Sequence, residues 1–380
     1  MDFSGVLGHE HIKSYLKKGV DTGRIAHAQL FVGPEGCGTL PMALAYSSYL
    51  LKISARSEDS HSLMMENFTH PDMHFAFPVT TTSKVTKHPV SNHYLPEWRE
   101  LLKTQPYGNL FDWYKLLGVE NKQGLISVNE AHEIVKSLSL KSFEGGYKVM
   151  IIWMPEKMNT ECANKLLKLI EEPPSQTLFV LVAEDEEQLI DTIRSRCQII
   201  HFPPLSENDI ALGLKRDYDI DAHVAQKIAH QSEGNYNKAC DLVYRDSEDI
   251  QFEKWFVIWV RSAFKAKGNK AAIHDLIAWS EEIAKTGRET QKQFLLFCLS
   301  YFRQALMLNY KVSDLVFMEP QVENFKLEKF APFVHNSNIL EISDEIEKAV
   351  YHIERNGNSK IILTDLSIKL TRLLHKKSVA

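Results

Sequence analysis

Uninterrupted apolar runs alternate with helical patterns in the first half of this chain of 380 residues. A strand that is apolar at every position is buried on both faces, as in a parallel sheet covered by helices. The predicted strands span residues 28–32, 147–153, 177–183 and 198–202. The predicted helices span residues 9–18, 41–52, 129–140, 159–171 and 186–195. Residues 1–205 are therefore predicted to form an α/β domain with a parallel sheet.

From residue 206 onward almost every pattern is helical. Ser206, followed by Glu207 and Asp209, has the composition of a capped helix start. Short amphipathic segments continue to about residue 248, and longer helices follow them. We predict a small all-α domain at 206–248 and a larger all-α domain at 249–380.

Residues 54–125 are the least regular part of the first domain. Polar stretches there separate an aromatic patch at 75–78 from the aromatic residues Trp98, Trp113 and Tyr114. This composition indicates an irregular insertion with some core of its own. The pattern assigns no function to it.

Charge and cysteine usage limit the classes of function. A formal net charge of −5 argues against a protein whose main task is to hold nucleic acid alone. The start of the chain has no secretory pattern, and no apolar run is long enough to cross a bilayer. The odd, scattered set of thiols is typical of a reducing compartment. It comprises Cys37, Cys162, Cys197, Cys240 and Cys298. We expect a cytoplasmic protein without a membrane partner.

A glycine loop follows the first predicted strand and precedes a helix. Gly33 and Gly38 have the spacing of the phosphate loop G-x-x-x-x-G-K-[ST], with Gly36 between them. Thr39 stands where the phosphate-binding lysine belongs, and Leu40 where the magnesium-binding hydroxyl belongs. Two interpretations remain: a degenerate nucleotide loop, or a glycine turn unrelated to nucleotide binding. In either case no bound cofactor is expected.

The next long strand ends without the expected acids. In nucleotide hydrolases of this architecture, carboxylates at that strand end hold magnesium and position water. Here the strand is followed by Met154, Pro155, Glu156 and Lys157, so one carboxylate remains. We interpret Glu156 as a helix-terminus or surface residue. Magnesium-dependent hydrolysis in this site is therefore not expected.

Several motifs in a fixed order resemble the bacterial clamp-loader branch of the AAA+ family. The resemblance covers roughly residues 1–240. Its motifs are His27-Ala28, Leu30-Phe31-Val32-Gly33-Pro34, His70-Pro71-Asp72-Met73-His74, Lys148-Val149-Met150-Ile151-Ile152, Asn164-Lys165-Leu166-Leu167 with Glu171-Glu172-Pro173-Pro174, and Ser195-Arg196-Cys197. The resemblance implies an AAA+ domain at 1–205, a helical lid at 206–248 and a helical collar at 249–380.

The resemblance also implies partners and one site residue. A clamp-loader subunit works with the delta and gamma/tau subunits of DNA polymerase III and, through that complex, with the sliding clamp and primed DNA. In that family the arginine matching Arg196, between Ser195 and Cys197, acts in a neighbouring subunit's ATP site as an arginine finger. The alternative is that Arg196 pairs with a carboxylate on its own surface, and Arg194 is interpreted as an ordinary surface charge.

Further departures from the family weaken a motor role. The strand at 177–183 ends in Ala183 and Glu184 instead of a polar sensor residue, and Asn237 stands where the lid arginine belongs. We therefore expect a non-ATPase clamp-loader subunit that supplies an arginine to a neighbour. The alternatives are an active gamma/tau-type ATPase and an AAA+-derived adaptor outside replication.

Metal and DNA contacts have weaker signals. Relatives in this family hold zinc with four cysteines, but residues 54–75 contain none. The spacing of His61, His70 and His74 fits no zinc pattern, so no metal is expected. Candidate DNA-backbone contacts are Lys136, Lys141 and Lys165, and solvated helix faces explain these lysines equally well.

Overall fold

A parallel sheet organises the first part of the chain, as the apolar runs predicted. In the computed structural model, the described residues there contain five parallel strands in the order β2-β3-β4-β1-β5. The strands are β1 (Ala28–Val32), β2 (Met73–Ala76), β3 (Lys148–Trp153), β4 (Thr177–Ala183) and β5 (Gln198–His201). Every residue of β1, β3 and β4 is buried, which explains their largely apolar character. The predicted α/β fold class is confirmed.

The structure describes residues 2–54, 63–120, 122–143, 145–244, 247–266, 269–312, 316, 320, 322 and 325–377. These residues form two units: 1–119 with 123–243, and 120–122 with 244–380. The division at 243/244 lies a few residues before the domain boundary expected at 248/249.

Helices cover the sheet of the first unit and form its C-terminal part. They are α1 (Glu10–Asp21), α2 (Thr39–Ser54), α3 (Leu95–Thr104), α4 (Leu110–Leu117), α5 (Val128–Ser139), α6 (Thr160–Glu171), α7 (Asp191–Arg194), α8 (Glu207–Tyr218), α9 (Ala222–Ser232) and α10 (Tyr236–Tyr244). We call α8 to α10 the lid. Ser206 caps α8, as predicted, because its Oγ accepts a hydrogen bond from the amide of Asp209 at 3.1 Å.

The second unit is helical in its described residues. Its helices are α11 (Ser247–Lys265), α12 (Lys270–Ala284), α13 (Arg288–Asn309), α14 (Leu327–Phe330), α15 (Ile339–Glu354) and α16 (Ser359–Leu373). Trp259 and Trp279 stack at 4.9 Å between ring centroids in its apolar core. None of the described helices has the length and apolar character needed to cross a bilayer.

The segment expected to be an irregular insertion is largely regular. Within residues 63–120 the structure has the edge strand β2, which pairs with β3, and helices α3 and α4. Trp98 stacks on Phe77 at 4.2 Å and meets Trp113 at 5.4 Å, inside the main apolar core of the unit. The segment therefore shares the core of the sheet instead of having its own. A four-residue strand containing His74 has too short a pattern for the sequence to reveal.

The helix predicted at 186–195 is interrupted. One 3-10 turn spans Glu186–Gln188, and α7 begins only at Asp191. Leu189 and Ile190 between them are extended, and Leu189 is buried. Packing of Leu189 into the core thus overrides the local helical pattern.

Candidate functional site

The glycine loop turns from β1 into α2 at the carboxyl edge of the sheet. Gly36 and Gly38 have φ of 69° and 102°, values that side-chain-bearing residues rarely adopt. His9 supports the loop because its Nε2 donates to the carbonyl of Cys37 at 2.8 Å. Burial raises the pKa of the Cys37 thiol to about 11. The loop is therefore a rigid turn packed into the core.

The lid lies directly on this loop. The amide of Tyr236 donates to the carbonyl of Gly36 at 3.0 Å, and Asn235 Nδ2 donates to Glu35 Oε1 at 3.0 Å. A Cβ on Gly36 would lie 1.8 Å from Asn235 Oδ1. Only glycine permits so close an approach of the lid.

The remaining space beside the loop is very small. It is about 20 Å³, roughly enough for one water molecule. Its walls are the loop itself, Pro106 and Tyr107 from the connection between α3 and α4, and Met154 and Glu184 at the ends of β3 and β4. The chain's own residues therefore leave little room beside the loop.

The two substituted loop positions have no phosphate-binding chemistry. Leu40 is buried in the apolar core with 4 % of its surface exposed. Thr39 is half-buried and begins α2. Leucine offers magnesium no oxygen, and a threonine hydroxyl supplies no positive charge to phosphates.

The residues at the end of β3 likewise pack in the core. Trp153 is buried, with its ring 5.0 Å from that of Trp98, and Met154 is buried with a left-handed φ of 55°. Glu156 lies in the 3-10 turn that follows, and its Oε1 accepts from the amide of Glu184 at 3.1 Å. Burial raises the pKa of Glu156, and its Oε2 is buried without a hydrogen-bond partner among the described residues. This carboxyl group ties the ends of β3 and β4 together.

The lid position that matches the family's lid arginine, and the strand end that matches its sensor residue, are also neutral. Asn237 is buried, and its Nδ2 donates to Asp112 Oδ2 at 2.7 Å. At the end of β4, Ala183 is buried and its carbonyl accepts from the amide of Gly33 at 3.2 Å. Neither group offers a charge to a phosphate.

Arg196 lies far from this loop in the sequence, just after α7. Its Nε donates to Glu171 Oε2 at 2.9 Å, and its Nη1 donates to the carbonyl of Thr192 at 2.9 Å. The side chain of Arg196 is 31 % exposed and that of Glu171 is 55 % exposed. Within this chain, Arg196 therefore has the surface ion pair that the alternative interpretation described.

The neighbours of Arg196 differ from it in accessibility and pairing. Ser195 is exposed, whereas Cys197 is half-buried and burial raises the pKa of its thiol to about 12. Arg194 pairs with Glu187 and with Asp191, each at 2.8 Å. Arg194 is thus held by two carboxylates and Arg196 by one.

The candidate DNA and zinc residues are dispersed. Lys141 and Lys165 are exposed, and Lys136 forms an ion pair with Glu133 at 3.8 Å. His61 lies outside the described residues. His70 Nδ1 accepts from the amide of Asp72 at 3.1 Å, and no cluster of three or more metal-ligating side chains occurs in the part of the chain that the structure describes.

Sequence reasoning missed the residues that pack around the loop and the lid. Tyr107 and Asp112 belong to the segment that was interpreted as irregular, and Tyr236 belongs to the lid. They meet through long-range packing that no local periodicity reports. A conspicuous signal was available at one place: Asn109 and Asp112 have the spacing of a helix capping box.

Comparison with known proteins gives one family match and several relatives. A family model described as "DNA polymerase III, delta subunit" matches residues 8–206. The Bacillus subtilis DNA polymerase III subunit delta' is 26% identical over 239 residues, 62% of this chain and 59% of that protein. The Escherichia coli subunit delta' is 28% identical over 134 residues, 35% and 40% of the two chains. A Buchnera aphidicola (strain APS) subunit gamma is 25% identical over 246 residues, 63% and 57%. The chain thus spans less than two thirds of these relatives' lengths.

Two solved structures resemble the chain at low similarity. The Thermotoga maritima RuvB Holliday junction branch migration motor is 18% identical, with 63% of this chain and 61% of that chain covered and a TM-score of 0.39. A gamma subunit-related protein of DNA polymerase III from Thermotoga maritima is 16% identical, with 95% and 99% covered and a TM-score of 0.34. Both TM-scores are too low to support an inference about function.

Proposed function

Because the chain belongs to the DNA polymerase III, delta subunit family, we propose that it is a delta-prime-like clamp-loader subunit without ATPase activity of its own. The proposed partners are the delta and gamma/tau subunits and, through the complex, the sliding clamp and primed DNA, in the cytoplasm. In this proposal it helps to load the clamp and supplies Arg196 to a neighbour's ATP site.

The small size of the space beside the glycine loop is the observation that supports this proposal. Pockets for small ligands measure roughly 300–1,000 Å³, whereas the space beside the glycine loop is about 20 Å³. A nucleotide could enter only if Tyr107 and the lid moved away. It would then meet Thr39 and Leu40, which offer neither charge nor a magnesium ligand.

Calorimetric titration of the isolated full chain with magnesium and ATP tests the non-ATPase role. We expect no binding heat at micromolar concentrations, with a gamma/tau motor subunit as the positive control. The double variant Thr39→Lys with Leu40→Thr restores the loop sequence but leaves Tyr107 and Trp153 in place, so it too should not bind. Micromolar binding by the unsubstituted chain would favour the gamma/tau-type ATPase, an alternative kept open by the match to the Buchnera gamma subunit.

The environment of Arg196 is compatible with a role in trans. A surface ion pair such as Arg196 with Glu171 contributes about 0–1 kcal/mol to stability. An arginine finger in phosphoryl transfer is worth roughly 10³–10⁵ in rate, or about 4–7 kcal/mol. It is therefore energetically reasonable for Arg196 to leave the Glu171 carboxylate and contact the γ-phosphate in a neighbour's site. The planar, permanently charged guanidinium suits that contact.

Reconstitution with the other clamp-loader subunits tests this arginine. With Arg196→Ala, we expect the complex to assemble and clamp-dependent ATP hydrolysis to lose the turnover of one site. Arg196→Lys should rescue little, because lysine lacks the bidentate fork. The matched control is Arg194→Ala, which removes a half-buried, doubly paired arginine two residues away. Equal ATPase rates for Arg196→Ala and Arg194→Ala would contradict the finger role, and a chain that fails to assemble at all would favour an adaptor outside replication.

A further inference from the structure

One aromatic ring from the α3–α4 connection contacts three parts of the first unit. Tyr107 is buried, and its hydroxyl oxygen accepts from the amide of Leu7 at 2.8 Å. Its ring meets the ring of Tyr236 in the lid edge-on, with centroids 4.9 Å apart. Its Cε1 lies 3.1 Å from where a Cβ on Gly38 would be. Tyr107 therefore touches the N-terminal segment, the glycine loop and the lid together.

A helix cap in the same segment makes a second contact with the lid. Asp112 Oδ2 accepts from the amide of Asn109 at 2.9 Å, in the capping box that begins α4. The same oxygen accepts from Asn237 Nδ2 of α10 at 2.7 Å. Burial raises the pKa of Asp112, so the carboxylate depends on these donors to stay ionised. One acidic side chain thus holds both its own helix start and the lid.

The lid side of the contact is equally constrained. Tyr236 donates its amide to Gly36 and its hydroxyl to Asp217 Oδ2 at 2.6 Å. Tyr107 is packed in the apolar cluster of the lid, with Leu7, Ile210 and Leu214. Tyr107 belongs to this cluster although it lies in the connection between α3 and α4. Displacing it would open the core of the lid.

We propose that residues 106–112 serve as an internal ligand: Pro106, Tyr107 and Gly108 line the space beside the glycine loop, and Tyr107 and Asp112 latch the lid onto that loop. This inference rests on the proposed function, since it assumes that the site takes no nucleotide. A ligand that bridges two domains holds them together only by the contacts it makes with both. Here Tyr107 and Asp112 make those contacts permanently, because they are covalent parts of the chain. The lid orientation then becomes independent of ATP.

Hydrogen exchange of the full chain, read by mass spectrometry, tests the latch. Tyr107→Ala should speed exchange in lid residues 206–243 by about tenfold or more, because it removes a buried ring. Tyr107→Phe should speed exchange in the Leu7 region and in the lid roughly fivefold, because it removes the hydrogen bond that holds Leu7 in the apolar cluster of the lid. Asn237→Ala should loosen α10 without disturbing the capping box. Strands β3 and β4 should stay protected in all three variants.

Tyr94→Phe is the matched control. Tyr94 is buried and its hydroxyl donates to the carbonyl of Thr80 at 2.7 Å, and it takes part in none of the lid contacts described above. It should leave lid exchange unchanged. If Tyr107→Ala unfolds the unit and exposes β3 and β4, the comparison of Tyr107→Phe and Asn237→Ala with Tyr94→Phe decides the matter.

The outcomes separate the latch from the proposed function. Lid exchange equal to that of the unsubstituted chain in both Tyr107→Phe and Asn237→Ala would overturn the latch, whatever the ATP titration gives. Addition of ATP and magnesium to the unsubstituted chain should leave lid exchange unchanged. If ATP protects the lid further while the variants still loosen it, the non-ATPase assignment fails, and the latch loses its independence from nucleotide.

Discussion

Glu130→Gln should stabilise the first unit in neutral and alkaline solution and leave it nearly unchanged in mild acid. Glu130 is the third residue of α5 and only 2 % exposed, and its Oε2 accepts from the amide of Ser91 at 2.6 Å. Burial raises the pKa of this carboxyl group to about 7. Glutamine keeps an oxygen for the Ser91 amide but cannot ionise.

The magnitude follows from proton linkage. Because the pKa of Glu130 is higher in the folded than in the unfolded chain, the folded state binds more protons between about pH 4.5 and 7. Stability must therefore fall as pH rises through that window. At 1.36 kcal/mol per pH unit, the span from 4.5 to about 7 corresponds to about 3 kcal/mol. Imperfect pairing of the glutamine amide reduces the expected gain at pH 8 to about 1–3 kcal/mol.

The assay is hydrogen exchange of the most protected amides in β3 and β4, which report the free energy of unfolding of this unit alone. Variant and unsubstituted chain are compared at pH 5 and at pH 8, so that intrinsic exchange rates cancel. Glu133→Gln is the matched control, because Glu133 is a half-exposed residue one turn later and pairs with Lys136. A gain from Glu130→Gln that is equal at both pH values, or absent at pH 8, would refute the burial argument.

Two further predictions concern the glycine loop and the neighbouring end of β3. Trp153→Ala should destabilise the first unit by about 3–5 kcal/mol, since its ring is buried against Trp98; β3 exchange checks this, and a loss below about 1 kcal/mol would contradict the packing role. Iodoacetamide at pH 8 should leave Cys37 unlabelled in the folded chain and label it in urea, because the thiol is buried with a pKa of about 11. Peptide mass spectrometry reads the labelling, and equal rates in both conditions would be inconsistent with a buried loop.

The parts of the fold that the sequence predicts well are those with a local signal. Strands β1, β3 and β4 are largely apolar because both faces are covered, and their polar residues Gln29, Lys148 and Thr177 are buried as well. The edge strand β2 has four residues, and half-buried His74 breaks its apolar pattern. Four residues give too few repeats to distinguish a strand from a loop. Its place beside β3 depends on long-range pairing.

The candidate site shows the same division between local and long-range information. The loss of lysine at Thr39 and of the hydroxyl at Leu40 is readable from the loop motif alone. The residues that line the space beside the loop cannot be read from the motif, because Tyr107 comes from a separate segment with no motif of its own. Likewise, sequence offers no basis for choosing Glu171 over Glu172 as the partner of Arg196. Glu171 is the last residue of α6 and Glu172 is its non-helical C-cap, and the fold brings Glu171 within hydrogen-bond distance of Arg196.

A return to nucleotide hydrolysis would require several changes at once. An acid at position 154 would place a carboxylate where Met154 is buried, and burial of an unpaired charge costs several kcal/mol. A hydroxyl at position 40 would be buried in apolar core. A lysine at position 39 would still face Tyr107 and the lid. Each position that has lost phosphate chemistry now lies in or against packed core, so single reversions lower stability without creating a site. The packing therefore supports the proposed structural role of the loop, and with it the proposal that Arg196 makes the catalytic contribution.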